Sequence, residues 1–153
     1  MRAVLCCIVA GLVLPASASA YTREGSRQLS FAWPAVGTVT SPFGRDGARW
    51  HPGLDIGILQ STTVRAAAAG RVVGEGYLPG YEGYGNVVLA DLGDGYSALY
   101  AHLAEPLVRV GEKLTAGQRL GVAGCTGWCT GTHLHFELRY RDRAVDPTLL
   151  FAG

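Results

Sequence analysis

The sequence predicts an all-β domain, either a sandwich or an open barrel of short strands. Three observations carry that expectation. Segments of alternating or β-branched residues recur at short intervals, each closed by a turn signal. Glycine fills 22 of the 153 positions, about twice the usual ~7%, and the turns account for the excess. Only Ala66 to Ala69 has helical propensity, and Gly70 interrupts it.

The elements follow in order. A first strand is expected over Val36 to Thr40, closed by Ser41-Pro42-Phe43-Gly44. Thr63 to Ala66 and Arg71 to Gly74 come next. Asn86 to Ala90 and Tyr96 to Leu103 flank Gly93-Asp94-Gly95, a strong hairpin signal. Val108 to Leu114 and Arg119 to Ala123 are further short strands. Thr132 to Tyr140 is the longest clean alternation. Strand side chains alternate in direction, so His133, His135, Glu137 and Arg139 share one face. Leu134, Phe136, Leu138 and Tyr140 share the other, which reads as the core face. The two histidines therefore point away from that core. Same-face neighbours on a strand lie about 6–7 Å apart, close enough for two imidazoles to converge on one small group.

Ahead of this body, Arg2 precedes the apolar run Ala3 to Leu14, then Pro15 and the small-residue stretch Ala16 to Ala20. A basic start, a short apolar run and an Ala-x-Ala end make the pattern of a secretory signal peptide over residues 1–20. The run is shorter than the ~20 residues of a spanning helix. Cys6 and Cys7 lie inside it and not just after it, so no lipid anchor is expected. Residues 21–32 read as a polar lead and residues 33–150 as one domain. The expected product is exported, to the periplasm or the exterior, and free of the membrane after cleavage. The remainder is too short for a separate targeting module or inhibitory pro-domain of ordinary size. Two cysteines remain, Cys125 and Cys129. In an exported protein a disulfide between them is the default reading, with two thiolate zinc ligands the alternative.

Composition narrows the function classes. Charged residues make up only 16%, and 13 Lys+Arg stand against 12 Asp+Glu for a formal net charge of +1. A coiled coil, a charge-driven disordered chain and a strongly basic nucleic-acid binder are excluded on those grounds.

The chemistry must lie with the histidines. There are four, and all fall in three short segments: His51-Pro-Gly-Leu-Asp55, Tyr100-Ala-His102-Leu103 and Thr132-His133-Leu-His135. His51 and Asp55 are good zinc-ligand types, although each segment alone has a structural reading. No His-Glu-x-x-His helix and no Gly-x-Ser-x-Gly elbow occurs. With both remaining cysteines bridged, neither a Ser nor a Cys nucleophile is expected.

These segments resemble the lysostaphin/LytM-type zinc endopeptidases, the LytM-domain peptidoglycan hydrolases. His51 to Asp55 matches the family's His-x-x-x-Asp motif. His133 to His135 matches its His-x-His, and Tyr100 to Leu103 its Tyr-x-His-Leu. Looser matches extend the resemblance from Trp33-Pro34 to Asp146-Pro147. It implies an antiparallel β fold of the LytM (duplicated hybrid motif) type with a narrow metal-containing groove. His51, Asp55 and His135 are then expected to bind Zn²⁺, and His102 and His133 to be the catalytic histidines. The implied activity is hydrolysis of peptide bonds in peptidoglycan stems or cross-bridges, by a monomeric domain with no nucleic-acid partner. No Tyr lies between Thr22 and Tyr77, where members that cut glycine bridges carry one. Arg45, Arg49 or Trp50 are the local replacements, and stem cross-links become the favoured substrate. Two other classes remain: a non-enzymatic LytM-like module that binds wall or regulates an amidase, and a zinc protease acting on proteins.

Overall fold

Asp94 and Gly95 both take left-handed backbone, with φ of 53° and 82°. Such a two-residue turn joins two strands without splaying them. It connects β7 (Asn86–Gly93) to β8 (Tyr96–Pro106), the longest pair in the fold. The computed structural model describes residues 31–47 and 49–151. The expected signal segment 1–20 and residues 21–30 of the lead lie outside the described residues.

The remaining strands are β1 (Thr38–Ser41), β2 (Gly44–Asp46), β3 (Arg49–His51), β4 (Leu54–Gly57), β5 (Thr63–Arg65) and β6 (Gly70–Tyr77). After β8 come β9 (Lys113–Leu114), β10 (Arg119–Ala123), β11 (Leu134–Tyr140) and β12 (Arg143–Val145). One sheet runs in the order β1-β4-β11-β8-β7-β6-β9. β10 bridges β8 to β5, β12 extends β11, and β2 and β3 form a separate hairpin. The paired strands are antiparallel. The all-β, antiparallel expectation holds: among the described residues the only helical pieces are short 3₁₀ turns at Glu82–Tyr84 and Pro147–Leu150.

Several local expectations change. Ala66 to Ala69 forms no helix. Ala66, Ala67 and Ala68 are fully buried, and their backbone groups are taken by neighbours. Ala66 N donates to the Gln118 carbonyl, Gly117 N to the Ala66 carbonyl, and Ala67 N to the Tyr100 hydroxyl. Tertiary partners thus replace the intrahelical bonds that propensity favours. Of the strand expected over Val108 to Leu114, only Lys113–Leu114 pairs. A turn closed by Glu112 N on the Arg109 carbonyl occupies the start. Strands β2, β3, β4 and β12 are additional to the expected set.

The sheet buries both faces near its centre. Ile56, Val88, Ala90, Tyr100, Leu103, Leu120, Leu134, Phe136 and Leu138 belong to the main core. On the opposite face Val87, Leu99 and Ala101 form a smaller cluster, covered by Leu78, Tyr81, Tyr84 and Leu89. His135 and Glu137 turn away from the main core, as the alternation implies. They are nevertheless buried, Glu137 completely, because the 78–84 segment lies over that face.

Candidate metal centre and active site

β4 and β11 pair in a register that sets Asp55 directly opposite His135. His51 reaches the same point from the end of β3, through the turn Pro52-Gly53. A Cβ on Gly53 would collide with the Phe136 carbonyl oxygen, so glycine is what lets this turn lie against β11. The outcome is a close triangle. His51 Nε2 lies 3.2 Å from Asp55 Oδ1 and 3.1 Å from His135 Nδ1, while His135 Nδ1 lies 2.7 Å from Asp55 Oδ1.

The outward hydrogen bonds assign the tautomers of the two imidazoles. His51 Nδ1 donates to the Pro42 carbonyl at 2.8 Å. His135 Nε2 donates to Glu137 Oε1 at 3.1 Å. The inward atoms, His51 Nε2, His135 Nδ1 and Asp55 Oδ1, are then three lone pairs aimed at one another. A cation relieves that convergence, and two nitrogens with one carboxylate oxygen suit zinc. The residues present therefore fit the metal that the sequence motifs imply. Local electrostatics have the same sign. Burial raises the Asp55 carboxyl, yet the hydrogen bonds that His135 and His51 donate to it once their rings are protonated outweigh burial and hold its pKa well below the usual carboxylate range. His51 is shifted upward, chiefly by its hydrogen bond with Asp55. His135 is also shifted upward: burial opposes its charge, but Asp55 and Glu137 prevail. The pocket thus favours positive charge.

His102 and His133 stand beside this triangle. Their ring centroids are 4.7 Å apart, and His102 lies 5.8 Å from His135. His133 Nδ1 donates to the Gly131 carbonyl at 2.7 Å, and its Nε2 is 3.8 Å from Asp55 Oδ1. His102 Nδ1 donates to the Thr126 carbonyl at 2.8 Å. Burial lowers the His102 pKa, against the opposing pull of that carbonyl, so it is neutral near pH 7.

A bulge places His102 there. Between the pairs Val88↔Tyr100 and Asn86↔Leu103, β8 carries one more residue than β7. Tyr100 and Leu103 both pack in the main core, which regular alternation forbids. His102 absorbs the difference with φ of 58°, a left-handed conformation uncommon outside glycine. Without the bulge, His102 would share the face of Tyr100 and point into the core.

The five site residues expected from the sequence thus come together, and Cys125 and Cys129 form a disulfide beside them. Sequence reasoning missed the layer behind His135. Glu137 receives the Tyr84 hydroxyl at 2.7 Å on Oε1 and Arg139 Nε at 2.7 Å on Oε2. Arg139 also reaches the Tyr81 hydroxyl at 3.4 Å. Burial pushes the Tyr84 phenol up to about 12, aided by Glu137. For Glu137 itself, burial is outweighed by His135, Tyr84 and Arg139, which lower its pKa. The shared face of His135, Glu137 and Arg139 was a usable signal for this layer; nothing in the local sequence marks Tyr84.

The profile of Peptidase family M23 matches residues 49–147, which hold all five site residues. The chain belongs to peptidase family M23. Among M23-type relatives, it is 36% identical over 139 residues to the uncharacterized lipoprotein YgeR of Escherichia coli, covering 88% of this chain and 53% of that protein. It is 36% identical over 118 residues to the murein hydrolase activator NlpD of Escherichia coli, covering 77% of this chain and 30% of that protein. The chain thus spans about half or less of the length of these relatives. Solved M23-like structures share the fold. A zinc-containing peptidase from Vibrio cholerae superposes with a TM-score of 0.67 at 30% identity, over 76% of this chain and 39% of that one. The antimicrobial peptidase lysostaphin from Staphylococcus simulans gives 0.65 at 28% identity, over 77% and 53%.

Proposed function

We propose that this M23 chain is a zinc metalloendopeptidase that hydrolyses peptide bonds in the stems or cross-bridges of peptidoglycan. The observation that carries the reading is the convergence of His51 Nε2, Asp55 Oδ1 and His135 Nδ1, at 2.7–3.2 Å, beside two further histidines. The likeness to a zinc-containing peptidase and to lysostaphin supports it. The chain acts as a monomer after export to the periplasm or the exterior. The signal-peptide pattern of residues 1–20 supports export, as does the relative named a lipoprotein. Among the described residues no helix is long and apolar enough to cross a membrane.

In this reading His51, Asp55 and His135 hold the ion. A zinc ion held there would supply Lewis-acid chemistry, lowering the pKa of a water toward ~7 and polarising a carbonyl oxygen. The other histidines handle protons and charge. His133 keeps its Nδ1 proton on the Gly131 carbonyl, which leaves Nε2, on the Asp55 side, to accept the proton of the attacking water. His102 keeps its Nδ1 proton on the Thr126 carbonyl. Its Nε2 is bare while the ring is neutral, so it donates to the oxyanion or to the leaving amine only after taking up a proton from solvent.

A second reading is a non-enzymatic module that activates a wall hydrolase, favoured by the resemblance to a protein named murein hydrolase activator. The two separate on purified cell walls incubated with zinc-loaded and with chelated protein. Release of new amino groups only by the loaded form supports the peptidase. No release at any pH with zinc bound favours the activator. Faster cleavage of casein than of walls assigns the activity to a protein substrate.

A further inference from the structure

We infer that the Cys125–Cys129 disulfide is a positioning element for His102 and His133: it fixes the loop carbonyls that hold their Nδ1 protons. The inference rests on the proton-handling roles proposed for those two histidines.

The bridge closes a short ring of sequence separation 4. Inside the ring, the Thr126 carbonyl accepts from His102 Nδ1 at 2.8 Å. Just beyond it, the Gly131 carbonyl accepts from His133 Nδ1 at 2.7 Å, and Cys129 Sγ lies 3.7 Å from that same nitrogen. Both imidazoles therefore take their tautomer, and the direction of Nε2, from backbone oxygens of one loop. An error in that loop is transmitted to both histidines at once.

Apart from backbone packed closely against Gly85, the loop has few other holds. Cys125, Gly127 and Trp128 are exposed, Trp128 at 86%, so no apolar core lies over the ring. Its other anchors are polar. Thr126 Oγ1 donates to the Leu103 carbonyl at 2.8 Å and accepts from Asn86 N at 3.0 Å. Trp128 N donates to the Gly83 carbonyl at 2.9 Å. Exposed loops held by a few hydrogen bonds open locally at low cost. A covalent closure removes most of those openings. A ring this short lies at the low end of what chain entropy gives a disulfide in global stability. Its effect is local, at the carbonyls.

None of the metal ligands draws on this loop. His51 is oriented by Pro42 and His135 by Glu137. Opening the bridge is therefore expected to spare metal binding and to damage turnover.

The test is the double variant Cys125→Ala/Cys129→Ala, compared with wild type in three measurements. Zinc stoichiometry is expected to be unchanged. On purified cell walls kcat is expected to fall about 10²-fold, the scale of a small misplacement of reacting groups, with KM within about twofold. In metal-free protein, ¹⁵N NMR of the imidazoles is expected to show His102 and His133 as single Nδ1–H tautomers in wild type and as mixtures in the variant. The same spectrum of wild type with the bridge opened by a phosphine reductant is expected to match the variant. Wild-type tautomers and kcat in the variant overturn the inference. Loss of zinc in the variant also overturns it, since the bridge then supports the whole site. If wild-type protein releases nothing from walls, the peptidase reading fails. The tautomer comparison still decides whether the bridge sets the two imidazoles.

Discussion

His135 and Glu137 stand two residues apart on β11 and meet side by side, with Nε2 3.1 Å from Oε1, on a face closed over by Tyr84. The carboxylate holds the imidazole from behind and leaves Nδ1 bare toward Asp55. Orienting partners of this kind fix the ring and tune metal affinity. Glu137→Gln keeps an acceptor but removes the charge. It is expected to weaken zinc binding about 10- to 100-fold, read by competition with a chromophoric chelator. Affinity equal to wild type would show that the carboxylate does not support His135.

The histidines divide into two classes that metal analysis separates. His51→Ala and His135→Ala remove lone pairs from the triangle and are expected to lose zinc and activity together. His133→Ala and His102→Ala are expected to keep zinc and lose turnover by about 10²- to 10⁴-fold. A His133→Ala protein that cleaves at the wild-type rate would remove His133 from the reaction.

Acid is expected to destabilise the metal-free protein in a defined window. Asp55 and Glu137 are both held below their ordinary values of 3.8 and 4.5. A carboxylate depressed by folding contributes stability that is fully present above its unfolded value. That contribution is lost as pH falls through the folded value. The melting temperature of chelated protein should therefore be flat from these groups above about pH 5.5 and fall steadily below pH 4.5. The fall is smaller in Glu137→Gln. Parallel profiles for the two proteins would rule out the Glu137 contribution.

Gly85 has φ of 67°, and a Cβ there would strike the backbone of Thr126. Gly85→Ala is expected to cost about 1–3 kcal/mol in denaturant unfolding. Because Thr126 carries the acceptor for His102, turnover is expected to drop by more than the folded fraction does. Unfolding and activity curves that superpose would make Gly85 a purely structural residue.

The long strands and the metal motifs were legible in the sequence because their signals are local. Leu134–Tyr140 alternates cleanly, Asn86–Gly93 and Tyr96–Pro106 are apolar-rich runs, and Asp94-Gly95 marks its own turn. The elements that carry His51 and Asp55 were not legible as strands. β3 and β4 have three and four residues, separated by Pro52-Gly53, and only pairing with β2 and β11 makes them extended. The burial of Glu137 was equally hidden. Its cover, Tyr81 and Tyr84, comes from a connection far away in sequence, and alternation alone cannot say that both faces of a sheet are roofed. His102 shows the opposite limit: motif likeness placed it in the site, whereas regular alternation would have sent it into the core.

That bulge in β8 has a genetic consequence. The extra residue between Tyr100 and Leu103 is what opens a berth for His102. Loss of a single codon there restores an unbroken ladder against β7 and abolishes the berth, while His51, Asp55 and His135 keep their places. If the chain acts as the proposed peptidase, a domain built this way stands one small deletion from a metal-binding but silent one.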